Sequence, residues 1–157
     1  KLRTPVKSDF AVLSALRNDG AVQRQLMIET RAYSIAEVRA WIRRRINDPQ
    51  GAFWAIDAEG PRGFVQLTRI ESGAADVGIC LVPAARGKGV AAEAMRLLEK
   101  EARQCGCRML TLRVLRVNHR AIAFSRSLNF AVAGLTRRLH FDGRYWRDVV
   151  FMEKRLR

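Results

Sequence analysis

Cysteine and histidine are scarce in this chain, which has three of the former and two of the latter among 157 residues. The cysteines are Cys80, Cys105 and Cys107; their number is odd, and no two of them form a C-x-x-C motif. Zinc sites and disulfide scaffolds need more such residues at regular spacing. The sequence therefore predicts no metal cofactor, and its few cysteines fit a reducing, cytoplasmic location.

Long apolar runs, internal repeats and low-complexity segments are also missing from the sequence. No stretch resembles a signal peptide or is apolar over the length that a bilayer requires, so no membrane partner is expected. A chain of 157 residues with 48% hydrophobic residues is typical of one globular unit. We therefore predict a single domain over residues 1–157.

Acidic residues are outnumbered, since 15 Asp and Glu face 29 Lys and Arg, for a net charge of +14. Such a charge attracts polyanions, among them nucleic acids, anionic membranes and phosphorylated ligands. The cations form no block of five, and the chain has neither an aromatic-rich basic sheet motif nor a recognition helix. A basic nucleic-acid-binding module is therefore an alternative function, and not the favoured one.

One stretch, residues 81–91, combines small residues and cations between two regular elements. The apolar run of residues 76–82 predicts a strand, and residues 89–105 follow a helical pattern. The stretch therefore leads from a strand into a helix N-terminus, where backbone N–H groups without internal partners bind anions.

The residues of this loop strengthen the prediction of an anion site. Gly87 and Gly89 let a ligand approach the backbone, while Arg86 and Lys88 add positive charge. The loop lacks the G-x-x-x-x-G-K-[ST] pattern of nucleoside-triphosphate sites and the third glycine of the dinucleotide fingerprint. We interpret it as a pyrophosphate site, with a solvated turn as the alternative.

Hydrophobic periodicity predicts the order strand, two helices, three strands, helix, strand, helix and two strands, an α/β (α+β) fold. The predicted elements are a strand at 2–6, a helix after Ser8 and Asp9, a helix opening at the Ser34–Glu37 capping box, strands at 52–56, 64–70 and 76–82, a helix at 89–105, a strand at 109–117, a helix from Asn118 to Asn129, and strands at 131–141 and 144–152. Residues 21–33 are ambiguous. Asp142-Gly143 predicts a two-residue hairpin turn.

Two segments resemble the GNAT superfamily of N-acetyltransferases. Arg86-x-x-Gly89-x-Ala91 resembles its [QR]-x-x-G-x-[GA] signature, and residues 118–130 are similar to its N-x-x-A-x-x-[LF]-Y-x-x-x-G-F segment. The predicted element order matches the family across nearly the whole chain, in the branch of ribosomal-protein and amino-sugar acetyltransferases. The resemblance implies a GNAT fold, a mixed sheet of about seven strands flanked by about four helices.

The resemblance also implies a reaction, the transfer of an acetyl group from the cosubstrate acetyl-CoA to a primary amine of a small molecule or a protein N-terminus. It implies that the cofactor is bound by Leu81, Val82, Arg86, Gly87, Lys88, Gly89, Val90, Ala91 and Asn118. An oxyanion-binding backbone N–H is expected near Cys80 to Val82. The Cys80 side chain itself is expected to be a thiol of the core.

The candidate catalytic residues are Asp76 and Ser125. Asp76 occupies the position where relatives carry Glu, which makes it the candidate base. The alternative is that Asp76 is a strand-edge carboxylate without a catalytic role. Glu71 is a weaker candidate base. Ser125 stands where the family has the Tyr that protonates the departing thiolate, and spacing places neither Tyr33 nor Tyr145 there. A catalytically weak acetyl-CoA-binding domain is therefore a further alternative.

The acceptor is the least determined part of the prediction. Residues that the resemblance places near the acceptor cleft are Arg17, Asn18, Gln25, Met27, Trp41, Arg69 and His140, although Trp41 also fits the core. The net charge of +14 argues against a polycation such as spermidine and is compatible with a nucleotide-linked amino sugar. An exposed apolar surface on the last hairpin would favour a homodimer.

Overall fold

The computed structural model describes residues 1–157. Its strands are β1 (Leu2–Arg3), β2 (Ala52–Asp57), β3 (Pro61–Glu71), β4 (Ala74–Leu81), β5 (Met109–Leu115), β6 (Ala131–Phe141) and β7 (Trp146–Arg155). Its helices are α1 (Phe10–Arg17), α2 (Gly20–Gln25), α3 (Ile35–Ile46), α4 (Val90–Gln104) and α5 (His119–Ser127). The predicted mixed α/β fold is confirmed, with five helices instead of about four. None of them has both the length and the apolar composition that crossing a membrane requires.

The strands form one sheet in the spatial order β1-β2-β3-β4-β5-β7-β6. Every neighbouring pair is antiparallel except β4 and β5, which run parallel. Parallel neighbours need a crossover connection, and α4 supplies it. The predicted meander of β2, β3 and β4 is confirmed.

The sheet separates two apolar clusters. The first lies under α1 and α3 and includes Leu13, Val38, Trp41, Phe53 and Phe64. The second lies under α4 and includes Met95, Leu98, Leu110, Val150 and Met152. Phe64 and Val65 belong to different clusters because successive side chains of a strand point to opposite faces. Trp41 meets the rings of Phe53 and Phe64 edge-on at 5.5 and 5.4 Å, so its core position is confirmed.

The first strand is shorter than the predicted range 2–6. Pro5 has no N–H to donate to the ladder, and the Val6 N–H donates to the Asp9 carboxylate at 2.8 Å, so the chain leaves the sheet after Arg3. A 3₁₀ turn over Lys7–Asp9 follows. Asp9 precedes α1 as predicted, but its side chain does not cap that helix.

The additional helix, α2, overlaps the segment 21–33 that was ambiguous in the sequence. Asp19 caps α2 by accepting a hydrogen bond from the Val22 N–H at 3.0 Å, and Met27, with φ 55°, stops the helical path soon after Gln25. The Ser34–Glu37 capping box that opens α3 is confirmed, since both of its hydrogen bonds form, at 3.2 and 2.8 Å. Both helix caps are formed by side chains close in sequence, but only the capping box of α3 has a strong sequence pattern.

The last hairpin turns more widely than predicted. Phe141 pairs with Trp146, so residues 142–145 make a four-residue connection in place of the two-residue turn. The Asp142 carboxylate causes this, because it accepts hydrogen bonds from the Arg144 and Tyr145 N–H groups, at 2.9 and 2.7 Å. The helix α5 ends at Ser127, and Asn129 takes the predicted left-handed conformation, with φ 67°.

A buried ion pair fastens the start of the chain to the fold. The Asp9 side chain is 1% exposed, and both of its oxygens accept hydrogen bonds from the Arg3 guanidinium, at 2.6 and 2.8 Å. Arg3 also donates to Asp57 at 2.8 Å, at the end of β2. The pair therefore joins β1, α1 and β2 through charged hydrogen bonds shielded from water.

We expect Asp9→Asn to lower the free energy of unfolding by about 1–3 kcal/mol, because it weakens the two charged hydrogen bonds from Arg3, which keeps Asp57 as its remaining acidic partner. The Arg3 guanidinium holds the pKa of Asp9 below its usual range. The stabilisation is therefore present above the unfolded pKa of about 3.9 and is lost as the pH falls through the folded pKa. Urea unfolding at pH 7 and under acid measures both effects. The matched change Glu29→Gln, at an exposed ion pair, should alter neither, and equal behaviour of the two variants would contradict the prediction.

Candidate active site

The parallel strands β4 and β5 are paired over only part of their length. Pairing joins Ala74–Asp76 to Met109–Thr111, whereas β4 continues to Leu81 and β5 to Leu115. A cavity of about 570 Å³ lies in the resulting gap. It is lined by residues 77–81 of β4, residues 112–114 of β5 and parts of α2, α4 and α5.

The free edge of β4 presents backbone groups to this gap. The Val82 N–H donates to the Arg62 carbonyl at 2.9 Å, towards β3. Backbone groups of a strand alternate in direction, so Gly78 and Cys80 also face β3, while Val77, Ile79 and Leu81 face the gap. Within the range predicted to supply an oxyanion contact, the N–H that faces the gap is that of Leu81.

The predicted anion loop connects β4 to α4. Its first part is a 3₁₀ turn over Pro83–Ala85. Gly87 and Gly89 follow with φ 71° and 77°, a conformation that only glycine adopts readily. No atom lies within 4 Å of a Cβ built on either glycine, so the backbone is open to a ligand. Gly89 is the N-cap of α4, and no side chain caps the free N–H groups of its first turn. The arrangement therefore has the geometry of an anion site.

Arg86 has a structural hydrogen bond in addition to its charge. Its Nε and Nη2 donate to the Leu81 carbonyl at 3.2 and 3.1 Å, which ties the loop to the end of β4. The guanidinium lines the cavity from that position. Its positive charge is thus held at one place beside the open glycines.

The predicted cofactor residues divide between two cavities. Those that line the large one are Leu81, Arg86, Gly87, Gly89, Ala91 and Asn118. Lys88, Gly89 and Val90 line a second cavity of about 210 Å³ on the other side of the loop, beside Lys1 and Asp57. Val82 packs between the two apolar clusters and lines neither cavity.

The charged residues of the large cavity are all arginines. Arg86, Arg113 and Arg120 line it, and no Asp or Glu does. Sequence analysis missed Arg113 and Arg120. Arg120 could have been found, since it lies in the first turn after Asn118, within the second motif. Arg113 had no such signal, because its position depends on the separation of β4 and β5.

The second motif lies along the opposite wall. The Asn118 side chain caps α5 by accepting a hydrogen bond from the Ala121 N–H at 3.2 Å, as predicted, and it also lines the cavity. Ser125, one of few buried polar residues at 5% exposure, lines the cavity two turns further along the helix. Tyr33 and Tyr145 do not line it, and the Tyr33 hydroxyl donates to the Glu29 carbonyl.

Asp76 lies where the pairing of β4 and β5 ends. Its carboxylate accepts hydrogen bonds from the Arg69 guanidinium and the Thr111 hydroxyl. It does not line the cavity, although its side chain shares a sheet face with Gly78 and Cys80, which do.

Cys80 is a buried thiol that lines the cavity and packs into the cluster under α1. Burial raises the pKa of its thiol to about 12. Because the thiolate is the nucleophilic form, almost none of this residue is reactive near neutral pH. Its burial and packing agree with the predicted core thiol.

We expect iodoacetamide at pH 8 to label Cys105, which is exposed, and to leave Cys80 and Cys107 unlabelled in the folded protein. Mass spectrometry of labelled peptides over time measures this, and labelling in denaturant gives the full signal for all three cysteines. Labelling of Cys80 at the rate of Cys105 would contradict the assignment of a buried, protonated thiol.

Comparison with known proteins identifies the fold. The sequence model described as "Acetyltransferase (GNAT) domain" matches residues 1–131. A spermidine N-acetyltransferase from Vibrio cholerae, solved with CoA and spermine, is 21% identical, with TM-score 0.90 over 99% of this chain and 94% of that one. A ribosomal-protein-alanine N-acetyltransferase from Brucella melitensis is 23% identical, with TM-score 0.86 over 99% of both chains.

A phosphinothricin acetyltransferase from Sinorhizobium meliloti, solved with acetyl-CoA, is 22% identical, with TM-score 0.83 over 99% of this chain and 88% of that one. No curated protein sequence matches this chain. The structural likeness at such identities establishes the fold, and the sequence model covers most of the chain. Because that model covers 131 of the 157 residues, the chain belongs to the GNAT acetyltransferases.

Proposed function

We propose that this protein transfers an acetyl group from acetyl-CoA to a primary amine of a small molecule or a protein N-terminus. One observation carries the proposal: the gap between β4 and β5 runs into the open glycine loop at the N-terminus of α4. A long ligand with a polar chain at one end and phosphates at the other fits this arrangement, with its chain in the gap and its phosphates at the loop.

The residues present fit acetyl-CoA from end to end. Its pyrophosphate suits the backbone at Gly87, Gly89 and Ala91, with Arg86 and Arg120 as counter-charges. Its pantetheine arm has two amides, which suit the N–H and carbonyl groups at the free edge of β4. Apolar side chains on both sides, among them Met95 and Phe124, would exclude water from the arm. When bound, acetyl-CoA supplies an acetyl group activated as a thioester.

The protein's own groups serve three needs of acetyl transfer. The Leu81 N–H, which faces the gap, is placed to donate to an oxygen that gains negative charge. Asp76, whose carboxylate accepts hydrogen bonds from Arg69 and Thr111, would take a proton from the amine through a water. Ser125 would hold a proton at its Oγ within the cavity, near the opposite wall.

Ser125 also supports a second candidate function, an acetyl-CoA-binding domain with weak catalysis. A serine hydroxyl is a far weaker acid than a tyrosine hydroxyl, whose pKa is about 10. The departing thiol needs little assistance, however, because thiols have a pKa near 8.5. Turnover with an amine, measured apart from binding, separates the two functions.

The acceptor within the proposed class is best described by charge. With Arg86 and Arg120 assigned to the CoA phosphates, the net charge of +14 and a cavity lining without Asp or Glu disfavour a polyamine and favour an anionic acceptor such as a nucleotide-linked amino sugar. The hairpin of β6 and β7 exposes apolar side chains, at Val132, Leu135, Leu139, Phe141, Tyr145 and Trp146, as a pairing surface would. A homodimer and a cytoplasmic location stay predictions.

We expect acetyl-CoA at a hundredfold excess over its Kd to add about 2.7 kcal/mol of stability, or roughly 5–10 °C in Tm, at fixed ionic strength. ATP at the same concentration should give a much smaller shift, since it lacks the pantetheine arm. Arg120→Gln should weaken acetyl-CoA binding about tenfold through the loss of one charged hydrogen bond. Arg126→Gln, an exposed change on the same helix, is the control. Equal shifts with ATP would mean unspecific anion binding, and no shift with either would remove the proposed function.

We expect Asp76→Asn to lower kcat/KM at pH 7 by about 10²- to 10⁴-fold if its carboxylate accepts the amine proton. The loss should shrink as the pH rises, because more of the amine is then neutral in solution. Ser125→Ala should lower kcat by less than about tenfold, because a thiol with a pKa near 8.5 departs without an acid. Steady-state kinetics over pH 6–10 measures both. A pH-independent loss below about tenfold for Asp76→Asn would assign the base elsewhere.

A further inference from the structure

Arg17, the last residue of α1, is partly buried and has no acidic partner. Its Nε is enclosed by protein atoms and has no hydrogen-bond partner. Its guanidinium lies over the rings of Tyr33 and Trp41, at 4.7 and 4.8 Å from their centroids. Nearby Arg31 differs, since it forms ion pairs with Glu29 and Glu37. The donor of Arg17 is thus left without the acceptor that a buried charge normally has.

The surroundings of Arg17 add positive charge. Burial lowers its pKa, and Arg31, Arg44 and Arg45 lower it further, while Tyr33 acts in the opposite sense. None of these groups is an Asp or Glu. A cation in such surroundings is costly for the folded protein unless an anion joins it. The position therefore favours binding of an anion from solution.

Arg17 is connected to the active-site cavity through α2. The buried amide of Gln23 donates to the carbonyl of Arg17 at 2.9 Å and to that of Arg31 at 2.6 Å. Arg17 does not itself line the cavity, but Val22 and Gln25 of α2 and the next residue, Leu26, do. The Gln23 hydrogen bonds thus fix the backbone at Arg17 to the helix that forms one wall of the cavity.

A second unpartnered polar atom lies on the same face of the sheet. Gln66 follows Phe64 on that face of β3, and its Oε1 is buried without a hydrogen-bond partner. Its amide group covers Gly78, where a Cβ would come within 2.8 Å of the Gln66 Nε2. Gly78 lines the cavity. This face of the sheet therefore holds an unpartnered acceptor at Gln66 and, under α2, an unpartnered donor at Arg17.

We propose that Arg17 is the anion subsite of the acceptor, and that the acceptor is a primary amine that also carries a carboxylate or phosphate group. The Arg17 guanidinium, walled by Tyr33 and Trp41, binds the anionic group, whereas the enclosed Gln66 Oε1 lies behind Gly78 and takes no part. The assignment of this amine as an acetyl acceptor rests on the proposed function, whereas its binding does not.

Isothermal titration tests the subsite without turnover. CoA is kept at saturation so that the anion loop is filled, and the probes are two matched pairs: O-phosphoethanolamine against ethanolamine, and γ-aminobutyrate against butylamine. We expect one or both probes that carry the phosphate or carboxylate to bind about ten- to hundredfold more tightly than the matched cationic amine that lacks it, which corresponds to one charged hydrogen bond. Which pair discriminates tells whether the site takes phosphate or carboxylate.

Arg17→Gln should remove this discrimination, and Arg17→Lys should keep part of it because it keeps the charge. Arg39→Gln is the matched control. Arg39 also stacks on an aromatic ring, that of Phe10, but it belongs to α3 and not to the proposed subsite. Thermal unfolding of each variant verifies the fold. Equal binding of the probes with and without the anionic group by the original protein, or unchanged discrimination by a folded Arg17→Gln, would overturn the subsite. An acetyl-CoA shift without anionic-amine binding rejects the subsite alone, and the reverse result rejects the proposed function alone.

Discussion

The early end of pairing between β4 and β5 is the constraint on which the site depends. After Asp76 and Thr111 the two strands share no further ladder hydrogen bonds, although both continue through the sheet. The gap holds the large cavity, leaves the outer backbone groups of β4 free, and ends at the glycine loop. Asp76 marks the point of separation, where its contacts with Arg69 and Thr111 fasten β3, β4 and β5 together.

Electrostatics in the cavity comes from backbone geometry as well as from charge. The uncapped first turn of α4 and the open glycines offer N–H groups, while the arginines stand on three different elements around them. Because backbone N–H groups are available for an anion, Arg86 can donate two hydrogen bonds to the Leu81 carbonyl. The net charge of +14 attracts anions to the whole molecule, whereas the free N–H groups are fixed at one place, the start of α4.

Local patterns predicted much of the fold, because their causes lie within a few residues. The capping box at Ser34, the cap at Asn118 and the left-handed Asn129 all follow from side-chain chemistry close to the backbone. The short helix α2 has no comparable pattern beyond Asp19, and the wide turn after Phe141 depends on which N–H groups Asp142 reaches.

The site was predictable where it depends on a loop and not where it depends on a tertiary contact. Gly87 and Gly89 carry their roles in their own conformations. The contact between Arg69 and Asp76 could not be predicted in this way. Arg69 reaches Asp76 from an irregular part of β3, where the backbone has φ 52° and the register with β4 shifts. No periodicity specifies such a bulge, and the unpaired state of Arg17 likewise depends on side chains distant in sequence.

The free edge of β4 has a consequence for how the protein avoids aggregation. A strand edge with unsatisfied backbone groups is normally a template for another chain. Here the edge lies in the middle of the sheet, flanked by β5 and the helices α2, α4 and α5, and not at its rim, where the sheet of another molecule could extend it. The protein thus keeps backbone groups for pairing with a slender amide-bearing ligand at a position where edge-to-edge association of two sheets does not occur.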